Sequence, residues 1–519
     1  MKYTLSRSDS ITRARGAARL ITHIKDPGGA GFFSAVRPAA AVLLLSLVLI
    51  CTSFTGCGGE KKTERYEAEQ ALFEARKLRD DVFRGSMREP FLERAIQGYR
   101  DIVEEYRPSM SEVEGLPLIV VTAQMELAEL QFRVGRLAAA RDDFEKAIDM
   151  ASGVQPARAN AIYSCGVISD ELKDAEGAIR YFERFAEEYL IEERLTETAR
   201  MNMLYIQIPI QLANLHRNVG NEEKAADWLA RAEAIYRFLI ENEENEGIRK
   251  EVRFNLLTVY LQGEEWERTL EYIGELEEIY GEDPNRPSLA FIRAMVEKEG
   301  FDNPERAFDL YLQVQEQYPE STEAPRALLA AADIRFSEKR YPEARTIYRR
   351  VVDEYSGSAA EVVQAEWQIA RILERSGNWN DASLKYKEIY QNYPQTEQGL
   401  QAPLTIIRYY KEGGRTDAAR AAYDQAVQHY ERIISGQTRA AVKIMAESHL
   451  VTAHADMEEW EEAASLLLRL PEKYPGYPRF SGNYLMAASI FEKELNDLDR
   501  AAQALRACIE RYPDSRLAE

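Results

Sequence analysis

The sequence predicts an all-α fold, an α-solenoid of about eleven stacked helical hairpins. Three observations carry that expectation. One motif recurs three times within Pro304–Thr396: Ala307-x3-Tyr311-x6-Tyr318-Pro319-x-Ser321, Ala344-x3-Tyr348-x6-Tyr355-x2-Ser358 and Ala382-x3-Tyr386-x6-Tyr393-Pro394-x-Thr396. Its alanines lie 37 and 38 residues apart (344 − 307, 382 − 344), a period characteristic of stacked arrays. The composition is that of a helical protein, rich in Ala, Glu, Leu and Arg, with 28 Gly and 19 Pro in 519 residues. At that length one compact core is unfavourable, whereas a solenoid grows by adding repeats.

The motif specifies the second helix of each hairpin. With Ala344 as position zero, Tyr348, Val351 and Tyr355 fall at +4, +7 and +11, a narrow stripe at about 100° per residue. Pro319, Pro394, Pro475 and Pro513 directly follow the tyrosine at +11. Proline disfavours helix in the residue before it, so the helix stops there. The Ser or Thr two residues later can cap the next helix. Upstream of each alanine runs a second apolar-periodic segment, such as Ala324–Ser337 or Glu361–Ser376, joined by a short turn. The small alanine lets the two helices approach closely. The aromatic three residues before it (Tyr341, Trp379, Trp266, Trp460) is expected to plug the open end.

Extended along the chain, the equivalent positions are Ala95, Ala140, Ala178, Ala225, Thr269, Ala307, Ala344, Ala382, Ala418, Ala463 and Ala501. The longer intervals between them predict extended helices or loops. Residues 64–246 read as an amino-terminal subarray and 247–519 as a carboxy-terminal one, with the charged run Glu241–Glu246 between them. Pro209 is expected to kink a helix over Met201–Val219. The chain given stops at Glu519, just as another helix should start. The last hairpin is therefore expected to show an apolar face suited to self-association.

This pattern resembles the tetratricopeptide repeat. The long form ending in Tyr-Pro-x-Ser is similar to the repeats of outer-membrane lipoproteins of the BamD type and of the Tol–Pal-associated periplasmic coordinator. The resemblance implies a protein-binding solenoid and a place in the bacterial cell envelope.

The amino terminus agrees with such an address. Residues 1–56 read as a lipoprotein signal peptide: seven Lys/Arg within Met1–Arg37, then the apolar run Ala39–Ile50, then Phe54-Thr55-Gly56-Cys57. Cys57 is the candidate lipidation site, its thiol taking the diacylglycerol. Residues 57–63 would form a tether. An uncleaved membrane anchor over Ala39–Thr55 is the alternative. Gly58, with no aspartate in its place, favours the outer membrane by resemblance to enterobacterial sorting. The other cysteines, Cys165 and Cys508, read as small buried hydrophobes too far apart in the array to pair.

The net charge is 66 − 87 = −21, which argues against nucleic acid as partner. No phosphate loop, CxxC or nucleophile motif is present, so no catalytic residue, cofactor or metal site is expected. His449 and His454 diverge by about 140° on a helix. Arg335, Arg371 and Arg408 recur at near-repeat spacing, yet sit 9, 11 and 10 residues before their alanines (344 − 335, 382 − 371, 418 − 408) and so do not share one face. Tyr409 and Tyr410 are candidates for the core or for anchoring a bound peptide. The functional expectation is a non-catalytic scaffold for envelope proteins or peptides, engaged in outer-membrane protein assembly. The alternatives are a Tol–Pal or peptidoglycan-linked coordinator, or the helical platform of a peptidoglycan-acting enzyme.

Overall fold

The structure is a computed structural model that describes residues 59–84, 89–281, 284–474 and 480–512. Cys57 and the signal segment before it lie outside the described residues. Among the described residues there is helix and turn but no strand. The helices run in order α1 (Gly59–Arg84), α2 (Glu89–Tyr106), α3 (Leu116–Arg133), α4 (Leu137–Met150), α5 (Gln155–Glu171), α6 (Ala175–Tyr189), α7 (Leu195–Met201), α8 (Ile208–Asn218), α9 (Glu222–Asn242), α10 (Glu246–Gln262) and α11 (Trp266–Tyr280). They continue as α12 (Arg286–Glu299), α13 (Pro304–Gln317), α14 (Glu323–Ser337), α15 (Tyr341–Glu354), α16 (Ala359–Arg375), α17 (Trp379–Asn392), α18 (Glu397–Glu412), α19 (Thr416–Ser435), α20 (Ala440–Asp456), α21 (Trp460–Lys473), α22 (Ser481–Lys493) and α23 (Leu498–Arg511). Setting the short α7 aside, they pair as eleven hairpins, the expected solenoid. The described residues form two compact units, one on each side of the boundary between residues 283 and 284.

The expected stripe is the core. Ala344, Tyr348 and Val351 on α15 are inaccessible, as are Ala382 and Tyr386 on α17. The +11 tyrosines Tyr318, Tyr355, Tyr393, Tyr474 and Tyr512 each sit one residue past the end of their helix, leaving helical geometry while still donating their N–H to the last turn. Thr396 then caps α18 by accepting from the Gly399 N–H at 3.1 Å, and Ser321 Oγ accepts from the Ala324 N–H at 3.2 Å. Ser358 occupies the cap position of α16 without a side-chain bond. Of the plug aromatics, Trp379 is buried; Trp266, Tyr341 and Trp460 are half-buried.

One hairpin departs from the expected register. On α19 the buried small residue is Ala419, while Ala418 is only half-buried. Counted from Ala419, Tyr423 takes +4 and the fully buried Tyr430 takes +11 (430 − 419). The chain around Pro209 also differs. Instead of one kinked helix, α7 ends at Met201 and α8 starts at Ile208, with Pro209 in its first turn. A missing N–H costs nothing there. The long intervals resolve as foreseen: α9 and α19 are extended to 21 and 20 residues, residues 107–115 form a loop, and α7 is inserted. The run Glu241–Glu246 makes the turn from α9 to α10, where the buried Glu243 carboxylate takes the Arg200 guanidinium at 2.9 Å.

The turn inside each hairpin from α3–α4 onward obeys a rule of its own. Gly135, Lys173, Gly220, Glu264, Asp302, Lys339, Gly377, Gly414, Glu458 and Asn496 all have positive φ. Each lies five residues before its small residue, from Gly135 to Ala140 (140 − 135) through to Asn496 to Ala501 (501 − 496). Around Lys339 the Lys339 N–H reaches Phe336 O at 3.0 Å and the Arg340 N–H reaches Arg335 O at 2.9 Å, the paired bonds of a left-handed helix stop. A Cβ on Gly377 (φ 76°) meets nothing within 4 Å, so its cost is backbone alone. Gly377→Ala is expected to destabilise unit 284–519 by about 1 kcal/mol, read as a lowered urea midpoint with unchanged slope.

Candidate functional site

The first helix of each hairpin defines one layer and the second helix the other. Within each unit the contacts that skip a helix fall mainly between successive first helices: α1 with α3, α3 with α5, α12 with α14, α14 with α16, α16 with α18 and α18 with α20. First helices therefore stand closer together than second helices, and their layer is the inner one. The seam between them is polar and aromatic. In unit 284–519, Asp333 on α14 accepts from the Tyr348 hydroxyl and from Gln368 Nε2 on α16 at 3.3 Å. Gln368 in turn accepts from Arg371 Nη1 at 2.9 Å. Arg371 lies 5.1 Å over the Phe336 ring and Arg326 5.1 Å over Phe291. Trp367 packs edge-on to Tyr386, centroids 5.0 Å apart. Arg408 on α18 donates to Asp456 on α20 at 2.7 Å.

Burial pushes the Asp333 carboxyl above the usual aspartate range, against the lowering effect of the Tyr348 hydrogen bond. In the unit before it, Glu126 gathers Arg76 (2.7 Å), Arg79 (3.2 Å) and the Tyr99 hydroxyl (3.0 Å) across the seam of α1, α2 and α3. This inner face offers cations held over aromatic rings and carboxylates shielded from water, the vocabulary of peptide and protein recognition.

Of the three near-periodic arginines only Arg335 stands apart. Counted from the buried Ala419, Arg408 lies eleven residues before its small residue, as Arg371 does (419 − 408, 382 − 371), so the expectation that no two share a face fails for this pair. Arg335 is buried against Glu305 and Glu338, both at 2.8 Å, with its guanidinium 3.6 Å from the Phe308 ring centroid. Arg371 and Arg408 belong to the inner seam. Tyr409 and Tyr410 are half-buried; Tyr409 stacks on Trp379 at 3.4 Å, which assigns the pair to hairpin packing. Cys165 and Cys508 are buried and unpaired. His454 Nδ1 meets the Tyr423 hydroxyl at 2.9 Å, and His449 lies edge-on to Tyr430. Burial lowers the pKa of both histidines. No helix among the described residues is long and apolar enough to cross a membrane. Leu498, Leu505 and Ile509 on α23 are exposed. The seam itself was not read from the sequence. Its pairs are some 35 residues apart, as Asp333 is from Gln368, and only the repeat period could have aligned them.

Comparison with known proteins fits this geometry. Residues 288–448 match the tetratricopeptide repeat-like domain, and residues 122–189 and 483–515 match the tetratricopeptide repeat. These three stretches are tetratricopeptide repeats. They span α3 to α6, α12 to α20, and the last hairpin. No curated protein matches the chain. Among solved structures, yeast Tom70 is similar at 13% identity over 87% of this chain and 93% of that one, with a TM-score of 0.35. The apo form of RapI is 12% identical over 73% and 99%, at 0.38. A tetratricopeptide repeat protein from Parabacteroides merdae is 14% identical over 56% and 96%, at 0.34. Likeness at this level carries no functional argument. The tetratricopeptide architecture itself is that of a protein-interaction scaffold.

Proposed function

We propose that this protein is a non-catalytic scaffold lipoprotein of the bacterial envelope. Its inner layer of first helices holds a protein or an extended peptide on the periplasmic side, in the service of outer-membrane protein assembly. The carrying observation is the inner seam around Asp333, Gln368 and Arg371, set on an array of hairpins with matched tetratricopeptide repeats. The tether at Cys57 is supported by the basic start, the apolar run Ala39–Ile50 and the small residues before the cysteine. A shared envelope address and repeat form support a Tol–Pal-linked role as the second reading.

One experiment addresses partner and tether together. A photo-crosslinking residue replaces Arg371, on the inner seam, or Arg349, exposed on the second-helix layer. Each protein is expressed in bacteria fed labelled palmitate. The expected result is a discrete envelope adduct from position 371 and not from 349, in a protein whose label disappears in Cys57→Ala. Barrel-assembly components in the adduct favour the first reading, and Tol–Pal components the second. Equal crosslinking from both positions, or label that survives Cys57→Ala, sinks the corresponding half.

A further inference from the structure

A cleft of about 620 Å³ opens between the end of α19, the middle of α20 and the second half of α21. Because α19 and α21 are both second helices, this cleft lies on the outer layer, away from the inner seam. Ile434, Leu450 and Leu466 give it apolar walls, and Glu431 and Glu472 stand exposed at its mouth. Its charged lining is Glu431, Glu447 and Glu472 against Arg469 and Lys473.

Glu447 is the anomaly. Its side chain is only 4% exposed, and Lys473 Nζ reaches its Oε1 at 2.5 Å. Its Oε2 is shut off from solvent with no hydrogen-bond partner. The Tyr474 hydroxyl is buried beside this carboxylate without a well-formed hydrogen bond; burial first, then the Glu447 charge and its hydrogen-bonding contact with Glu447, push its pKa up. Glu366 Oε2 is also buried without a hydrogen bond, but the Lys385 ammonium stands 2.6 Å from that oxygen. Glu243 and Glu323, whose whole residues are buried as Glu447 is, are fully engaged. Glu243 takes the Arg200 guanidinium on both oxygens and the Asn245 N–H besides. Glu323 accepts from Ser288 on one oxygen and from Thr322 on the other. A buried carboxylate oxygen left without a donor is costly, and its position in an apolar-walled cleft marks where a donor is wanted.

We propose that this cleft receives one lysine or arginine side chain of a basic peptide partner. The cationic head donates to Glu447 Oε2, and the methylene stem lies along Ile434, Leu450 and Leu466. A long cationic side chain suits such a site because its stem is apolar and its head carries several donors. The net charge of −21 draws such a partner from a distance. This goes beyond the inner-face reading and stands without it.

The test uses the full chain and neutral peptides carrying a single lysine, arginine or norleucine, compared at physiological salt so that long-range charge is screened. The wild type is expected to retain the lysine and arginine peptides about tenfold better than the norleucine peptide. Glu447→Gln and Ser435→Trp, the latter filling the mouth at an exposed position, are each expected to erase the preference. Both are first checked for an unchanged thermal midpoint. No preference in the wild type, or one that survives either variant, overturns the proposal. A preference lost in Asp333→Asn instead puts the cation on the inner face, which overturns this inference and leaves the scaffold reading standing.

Discussion

Tyr348→Ala is expected to destabilise unit 284–519 by about 3–5 kcal/mol, the range for removing a large buried aromatic. The ring is inaccessible to solvent and lies in the cluster with Leu328, Ala332 and Ile369. Its neighbours come from three successive helices and cannot collapse together onto the cavity. The hydroxyl adds a second loss, since it donates to the shielded Asp333 carboxylate. Tyr348→Phe isolates that part and should cost about 1–2 kcal/mol. It should also steepen the pH dependence. Asp333 is already raised by burial, so its folded form disfavours the charged state. The stability linked to it is present at low pH and is lost as pH rises through the raised value. Without the Tyr348 donor that value climbs further and the loss on going to neutral pH grows. Urea unfolding at several pH values measures both effects. Hydrogen exchange should show protection lost first in α14, α15 and α16, because each repeat leans only on its neighbours. Equal stability of wild type and Tyr348→Ala would remove the stripe from the core.

Gly399→Ala is the second large effect, about 3 kcal/mol, at the upper end for overpacking. A Cβ at this position would stand 2.0 Å from the Tyr393 carbonyl oxygen and 2.8 Å from its carbon. Both are backbone atoms of the residue that closes α17, and Thr396 holds the same junction by bonding Tyr393 O at 2.8 Å and the Gly399 N–H. A methyl group must therefore prise the start of α18 from the end of α17. Gly482→Ala is the matched control: its Cβ meets nothing within 4 Å, and it should be neutral or stabilising by about 0.5 kcal/mol. Similar thermal midpoints for the two variants would refute the close approach.

Legibility in the sequence followed the range of the interaction. The +4, +7 and +11 stripe is local to one helix, so Tyr348, Val351 and Tyr355 could be placed from spacing alone. The Tyr-Pro stops were legible for the same reason, since proline acts on its immediate neighbour. The misplacement at Ala418 arose because alanines crowd Ala418–Ala422 and several registers fit. Gly414, five residues before Ala419, and Tyr430, eleven after it, together select the right one. Glu447 could not be read: a glutamate on an amphipathic helix looks solvated, and its burial depends on Lys473, 26 residues further on. The inner seam was hidden likewise, because its residues are joined only by stacking.

The fixed interval between each left-handed turn residue and its small partner has a practical corollary. Every change in repeat length enters at the joints between hairpins, by the loop 107–115, the insertion of α7 or the lengthening of α9 and α19. Foreign segments spliced into those joints should be borne without loss of fold. The same segments placed at residues 338–340 would pull apart a corner that admits no spare length.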